Sequence, residues 1–172
     1  LWPGLIEALR FNLRRQHERV RLFEVGTRFE IEAGRLVESQ AIAGLISGAA
    51  LPEQWGADRR AADFFDLKAD VEALFALTGR SAAISYVARA HDTLHPGRSA
   101  AVMDGKTCVG WLGQLQPELA RKLEIREAPW IFELAIDPSF RSEVPVFTDI
   151  SRFPAIRRDL AVVVDESVTL DQ

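Results

Sequence analysis

The spacing of apolar residues changes period within the first fifty positions, and that change limits the folds open to this chain. Leu5, Leu9 and Leu13 recur at every fourth residue, with Trp2 and Ile6 on the same side. This is the pattern of a helix with one buried stripe. Pro3 suits the first turn of such a helix, where its missing N–H costs nothing. Phe11 falls on the opposite side, among Glu7, Arg14 and Arg15, and a second apolar point there suggests a further contact, such as a subunit interface. From Val20 to Ile31 the period becomes two. Phe23, Val25, Phe29 and Ile31 alternate with Arg or Glu, as in a strand, and Gly26 is a candidate bulge. Glu32 to Arg35 reads as a turn, and a second strand runs through Ala41 to Ile46. Strands joined by so short a polar turn are expected to pair antiparallel.

The same reading continues along the chain. Asp63 is placed to cap a second helix, with Asp66 at its third position, so that both carboxylates meet the positive end of the helix dipole. Phe64, Leu67, Val71, Leu74 and Phe75 form its stripe, and Gly79 offers a left-handed stop. Ile84 to Val87 is a short strand. Leu94-His95-Pro96-Gly97-Arg98 reads as a loop before a hairpin whose arms, Ala100 to Met103 and Lys106 to Leu112, flank an Asp104-Gly105 turn. A short helix opens at Gln116-Pro117-Glu118 with Leu119, Leu123 and Ile125 inward, and Trp130 to Ile136 is a strand. Leu160 to Val164 is a near-continuous apolar run of the kind buried on both faces of a sheet. Helices interspersed among strands on short turns predict an α+β domain with an antiparallel or mixed sheet, not a βαβ repeat.

Length and composition narrow the chemistry. The 172 residues allow one ordinary domain, or one with part of a second. The start at Leu1-Trp2-Pro3 without Met, and the end just after an apolar run, read as a segment of a longer polypeptide. No apolar run approaches the roughly 20 residues that span a bilayer. The single cysteine cannot form an intramolecular disulfide and fits a reducing compartment. A soluble, cytoplasmic protein with no membrane partner is expected. Cys108 itself is expected to be a small core residue.

A net charge of −4 supplies no general field for nucleic acid. Locally, Arg152, Arg157 and Arg158 form a basic knot that could reach phosphates or make surface ion pairs. His91 and His95 are four apart, but Pro96-Gly97 puts them in a loop and no carboxylate or cysteine clusters with them, so no metal site is expected. Phosphate cradles need Gly-rich turns that feed a helix N-terminus. The one tight pair, Gly110 and Gly113, lies in a strand arm, and no glycine follows it. No catalytic and no cofactor-binding residue is assigned.

Six stretches, read together, resemble the β subunits of bacterial phenylalanine–tRNA ligases. They are Leu1-Trp2-Pro3-Gly4-Leu5 with its helix, Arg19 to Gly26, Phe64 to Asp70, Leu94 to Ala100, Gln116-Pro117-Glu118-Leu119, and Ile150-Ser151-Arg152-Phe153-Pro154 running into Arg157 to Val164. The resemblance covers essentially the whole chain and keeps the order of the elements. It implies a class II aminoacyl-tRNA synthetase-like antiparallel sheet flanked by helices that has lost catalysis, over residues 1–148. Residues 149–172 would then be a linker and the first strand of a truncated ferredoxin-like anticodon-binding domain.

The resemblance further implies an α2β2 ligase that charges tRNA with phenylalanine, in which the α subunit supplies the active site. ATP and Mg2+ would serve the holoenzyme, and this piece alone would be inactive and hold no cofactor. Its role would be to support α-subunit assembly and tRNA positioning. Leu5, Leu9, Phe11 and Leu13 are its candidate interface residues, and Arg152, Arg157 and Arg158 its candidate tRNA contacts. An active class II core uses a strand arginine on ATP phosphate, and the similar strand here reads Leu22-Phe23-Glu24-Val25. It also uses a late glycine-rich segment, which this sequence lacks. An autonomous class II-like ligase is disfavoured on the same ground. An RNA-binding or protein-interaction module without a role in aminoacylation is the alternative.

Overall fold

The four-residue spacing at the start of the chain forms helix α1, Trp2–Arg14, with Pro3 in its first turn. In this computed structural model residues 1–32, 34–56, 59–136, 140, 158–163 and 165 are described. Strands β1 (Arg19–Glu32) and β2 (Arg35–Gly48) follow, then helix α2 (Phe64–Ala76), a 3-10 turn at Ser81–Ala83, and strands β3 (Ile84–Ala88), β4 (Leu94–Asp104) and β5 (Thr107–Leu115). Helix α3 (Pro117–Lys122) and strand β6 (Trp130–Ala135) complete the order. The strands form one six-stranded sheet in the order β1-β2-β6-β5-β4-β3, and every neighbouring pair is antiparallel. The chain is therefore α+β, as its periodicity predicts.

The two longer helices, α1 and α2, sit on opposite faces of the sheet. On one, Leu5, Ile6 and Leu9 of α1 pack against Val20, Leu45, Leu115 and Ile131, with Ala120 and Ile125 closing the cluster. On the other, Leu67, Val71 and Phe75 of α2 pack against Ile46, Val102, Leu112, Phe132 and Leu134. Two tryptophans pin the helical segments to β6. Trp2 Nε1 donates to the Phe132 carbonyl at 2.9 Å, and Trp130 Nε1 donates to the Ala62 carbonyl at 2.9 Å, just before α2. The start of α2 carries the expected cap: Asp63 accepts from the backbone N–H of Phe65 and Asp66, and Asp66 accepts from that of Asp63. Gly79 takes the left-handed conformation, φ +75°.

Several local expectations are corrected. Gly26 is not a bulge: β1 and β2 pair without interruption from Arg19↔Gly48 to Glu32↔Arg35. A Cβ at position 26 would instead come within 3.3 Å of the Leu1 side chain, so the glycine leaves room for the start of α1. Residues 94–98 belong to β4, where Leu94 pairs with Leu115 and pairing resumes at Ser99↔Gly113. The intervening His95-Pro96-Gly97 bulges out of the ladder because Pro96 has no N–H to give it. The hairpin turn is Gly105-Lys106, closed by Asp104↔Thr107. Only Gly105 takes positive φ, as a type II′ turn requires. Leu160 to Val163 are exposed and lie in no strand, so in these residues the apolar run is not a buried strand; Val164 lies outside the described residues.

Gly110 and Gly113 serve close strand packing. A Cβ at Gly110 would lie 2.2 Å from the Glu133 carbonyl oxygen, and one at Gly113 would lie 2.6 Å from the Arg98 carbonyl oxygen. Gly110→Ala is expected to push β5 away from β6 and cost at least about 1–3 kcal/mol, read from urea unfolding.

Acid should act at the α2 cap. Two hydrogen bonds from Arg60, 2.6 Å each, hold the Asp66 carboxyl at about 2 against the opposing effect of partial burial. The folded value lies below the ordinary 3.8, so this contribution is complete above about pH 4 and disappears as pH falls through about 2. Asp66→Asn should flatten that part of the stability–pH profile. Asp63→Ala should lower stability by about 1 kcal/mol at neutral pH.

Candidate subunit interface

Helix α1 divides its apolar residues between two environments. Leu5 and Leu9 are spent inside this chain, with Leu9 wholly inaccessible, and neither has side-chain surface left for a partner. Leu13 is half-buried. Phe11 stands on the outer side and is 54% exposed, with the guanidinium carbon of Arg15 4.1 Å from its ring centroid, a cation–π arrangement. Arg10 reaches Glu124 at 3.8 Å, which ties the same outer side to the segment after α3. Of the four residues expected at an interface, the structure therefore leaves Phe11 and part of Leu13 facing outward.

A larger apolar surface lies on the other face. Phe23, Val25, Phe29 and Ile31 of β1 stand opposite Gly44, Ile42, Glu38 and Leu36 of β2, on the face that carries α2. That helix extends toward β1 only as far as an ion pair between Asp70 and Arg21. Beyond it the row is bare: Phe23 is 75% and Ile31 79% exposed, with Phe29, Val25 and Leu36 also open. The alternation is plain in the sequence, but alternation alone marks a strand face and not what covers it. Phe23 and its neighbour Glu24 point to opposite faces, as successive strand residues must. The ring and the anion therefore do not share one site.

The remaining candidates have structural employment or lie apart. The His91 ring sits 5.4 Å from that of Trp2 and 4.9 Å from that of Trp111, and its Nδ1 accepts from the Thr93 N–H. His95 Nδ1 accepts from the Gly97 N–H at 3.1 Å, a local bond within the bulge. Cys108 is exposed, not a core residue, because the bulge between Val102 and Met103 changes which β5 side chains face inward. Arg158 is exposed, whereas Arg152 and Arg157 lie outside the described residues. An open cleft of about 1010 Å3 lies where α1 ends and β2 runs into the following loop. Its lining includes Arg19, Arg59 and Arg126, offset by Glu18, Glu53 and Glu127. The sequence reading missed this cleft, since its walls come from four separate segments.

A sequence profile of the phenylalanyl tRNA synthetase beta chain CLM domain matches residues 1–136. The chain belongs to this family. It is 46% identical over 169 residues to the phenylalanine–tRNA ligase beta subunit of Nitrosococcus oceani, covering 98% of this chain and 21% of that protein. The corresponding subunit of Pseudomonas putida is also 46% identical over 169 residues, with the same coverage, and that of Coxiella burnetii is 42% identical over 168 residues. This member of the beta chain family thus spans about a fifth of the length of the relatives it matches.

The division within α1 makes a direct prediction for this beta-chain domain. Leu9→Ala should destabilise it by about 2–5 kcal/mol, because it opens a cavity under the helix. Phe11→Ala should change stability by less than about 0.5 kcal/mol. Urea unfolding of the two variants checks both.

Proposed function

We propose that this domain is a non-catalytic, class II synthetase-like framework within a phenylalanine–tRNA ligase beta subunit. It supports assembly with the α subunit in an α2β2 enzyme and helps position tRNA for ATP-dependent charging with phenylalanine. The observation that carries this reading is apolar surface held outward on rigid elements: Phe11 on α1, whose inner side is locked into the core by Leu5 and Leu9. A partner gains most from an aromatic anchor whose own position costs little entropy to fix. Leu13 borders the anchor, while Leu5 and Leu9 act from behind by holding the helix on its sheet.

Among the described residues, the glycines of the sheet interior leave no room for ATP phosphates. Such phosphates need backbone left open by glycine. Here the space beside Gly110 and Gly113 is filled by the carbonyls of Glu133 and Arg98, and that beside Gly44 by the Phe132 ring. ATP and Mg2+ serve the α subunit. Arg158, with Arg152 and Arg157, remains the candidate contact for tRNA phosphates. A cytoplasmic location follows from the same role.

The test is co-expression of a full-length beta subunit carrying Phe11→Asp with its α subunit. Because Phe11 is exposed, the variant should fold normally by circular dichroism, yet native mass measurement should show loss of the α2β2 species. Undiminished assembly would remove Phe11 from the interface. Stoichiometric ATP binding by the 172-residue chain alone, read by calorimetry, would overturn the non-catalytic reading.

A further inference from the structure

We infer that the cleft at the end of α1, together with the loop that carries Trp55, is a docking surface for the α subunit. This rests on the reading of the domain as a framework for α-subunit assembly and gives that assembly a second anchor. Trp55 is fully exposed, on a loop that springs from a fixed neck. Ala49 bridges to Ala61, the Ala50 N–H donates to the Arg60 carbonyl at 3.0 Å, and the Ala62 N–H donates to the Gly48 carbonyl at 2.9 Å. Leu51, just beyond the neck, is half exposed and lines the cleft. An indole standing in water contributes no burial to this chain. Seated against a partner, a tryptophan is among the side chains that add most to an interface.

Charge decides the class of partner. Among the described residues four arginines line the cleft, but Arg60 is bound to Asp66 by two hydrogen bonds of 2.6 Å. The other three, Arg19, Arg59 and Arg126, share the cleft with Glu18, Glu53 and Glu127, and Arg59 is already paired with Glu53. RNA affinity comes chiefly from cations left free to meet phosphates, and this balanced surface offers no such excess. An aromatic anchor bordered by arginine and mixed charge is instead the make-up of a surface that meets protein.

Continuity with Phe11 selects the α subunit. One wall of the cleft is the end of α1, where Leu13, Gln16 and His17 line it. The helix stops there because Gln16 takes positive φ, 65°, with its N–H bonded to the Leu13 carbonyl and that of His17 to the Asn12 carbonyl. The five residue steps from Phe11 to Gln16 amount to about 8 Å at helical rise. A partner seated on Phe11 therefore reaches the mouth of the cleft by wrapping the end of the helix.

Hydroxyl-radical footprinting of Trp55 in a full-length beta subunit tests this. Adding α subunit should slow oxidation of Trp55 by about fivefold or more as its ring leaves water, and tRNA alone should not change it. Trp55→Ser should leave the circular dichroism of the beta subunit as it is and weaken its association with α subunit by about 10-fold or more. Oxidation as fast in the α2β2 enzyme as in the beta subunit alone would overturn the inference. So would an indole already shielded in the full-length beta subunit, where the occupant is its own chain, or shielding that is lost on dilution, the mark of a second copy. Shielding by tRNA alone would overturn it as well. Assembly lost with Phe11→Asp but kept with Trp55→Ser sinks this inference and spares the assembly reading. The reverse removes Phe11 and leaves the cleft, so the two proposals fail separately.

Discussion

The insertion of β6 between β2 and β5 is the contact on which the rest of the structure depends. The N-terminal hairpin and the β3–β4–β5 meander are each locally paired, and neither buries two faces alone. β6 joins them, pairing with β2 through Ala41↔Ala135 to Ile46↔Trp130 and with β5 through Gly110↔Leu134 to Gln114↔Trp130. Its side chains alternate between the two cores: Ile131 under α1, and Trp130, Phe132 and Leu134 under α2. Trp2 of α1 and the Ala62 carbonyl just before α2 are both hydrogen-bonded to this one strand, the second by Trp130. The close approach it requires is why Gly44 and Gly110 have no side chain to offer.

With the centre closed in this way, the domain leaves its unspent apolar surface at the periphery. The outer side of α1 and the row along β1 lie on different faces, so they serve different contacts. Phe11 is an isolated anchor on a helix whose other side is fully committed, which suits docking of a preformed partner. The β1 row is extended and runs along the margin of the sheet. Each face of β1 also carries an ion pair to a neighbouring element. Arg28 reaches across to Glu133 at 3.2 Å on the α1 face, while Arg21 binds Asp70 of α2 on the other.

Much of this was legible in the residues. The helix stripes, the antiparallel hairpin, the capping residues Asp63 and Asp66 and the stop at Gly79 are set by interactions within a few positions, and such interactions are written in the local sequence. The misreadings have a common physical source. Gly26 and Cys108 were judged by residue type, but each is decided by a neighbour distant in the chain: Leu1 beside Gly26, and the β4–β5 bulge beside Cys108. Residues 94–98 look like a loop because of Pro96-Gly97, yet Leu94 is buried and paired with Leu115. Leu5, Leu9 and Leu13 look alike to any periodicity argument. Only the sheet beneath them separates the two that are fully buried from the one that remains half-open.

By itself the sequence determined the order and type of the elements, because helix and strand periods and turn residues act over short range. It also carried the family resemblance, since that rests on residue identity in order. The tertiary structure alone decided strand order, the division of side chains between the two faces, and which apolar residues stay uncovered. These depend on β6 returning from the far end of the fold to the middle of the sheet, a pairing between segments about ninety residues apart that no local pattern encodes.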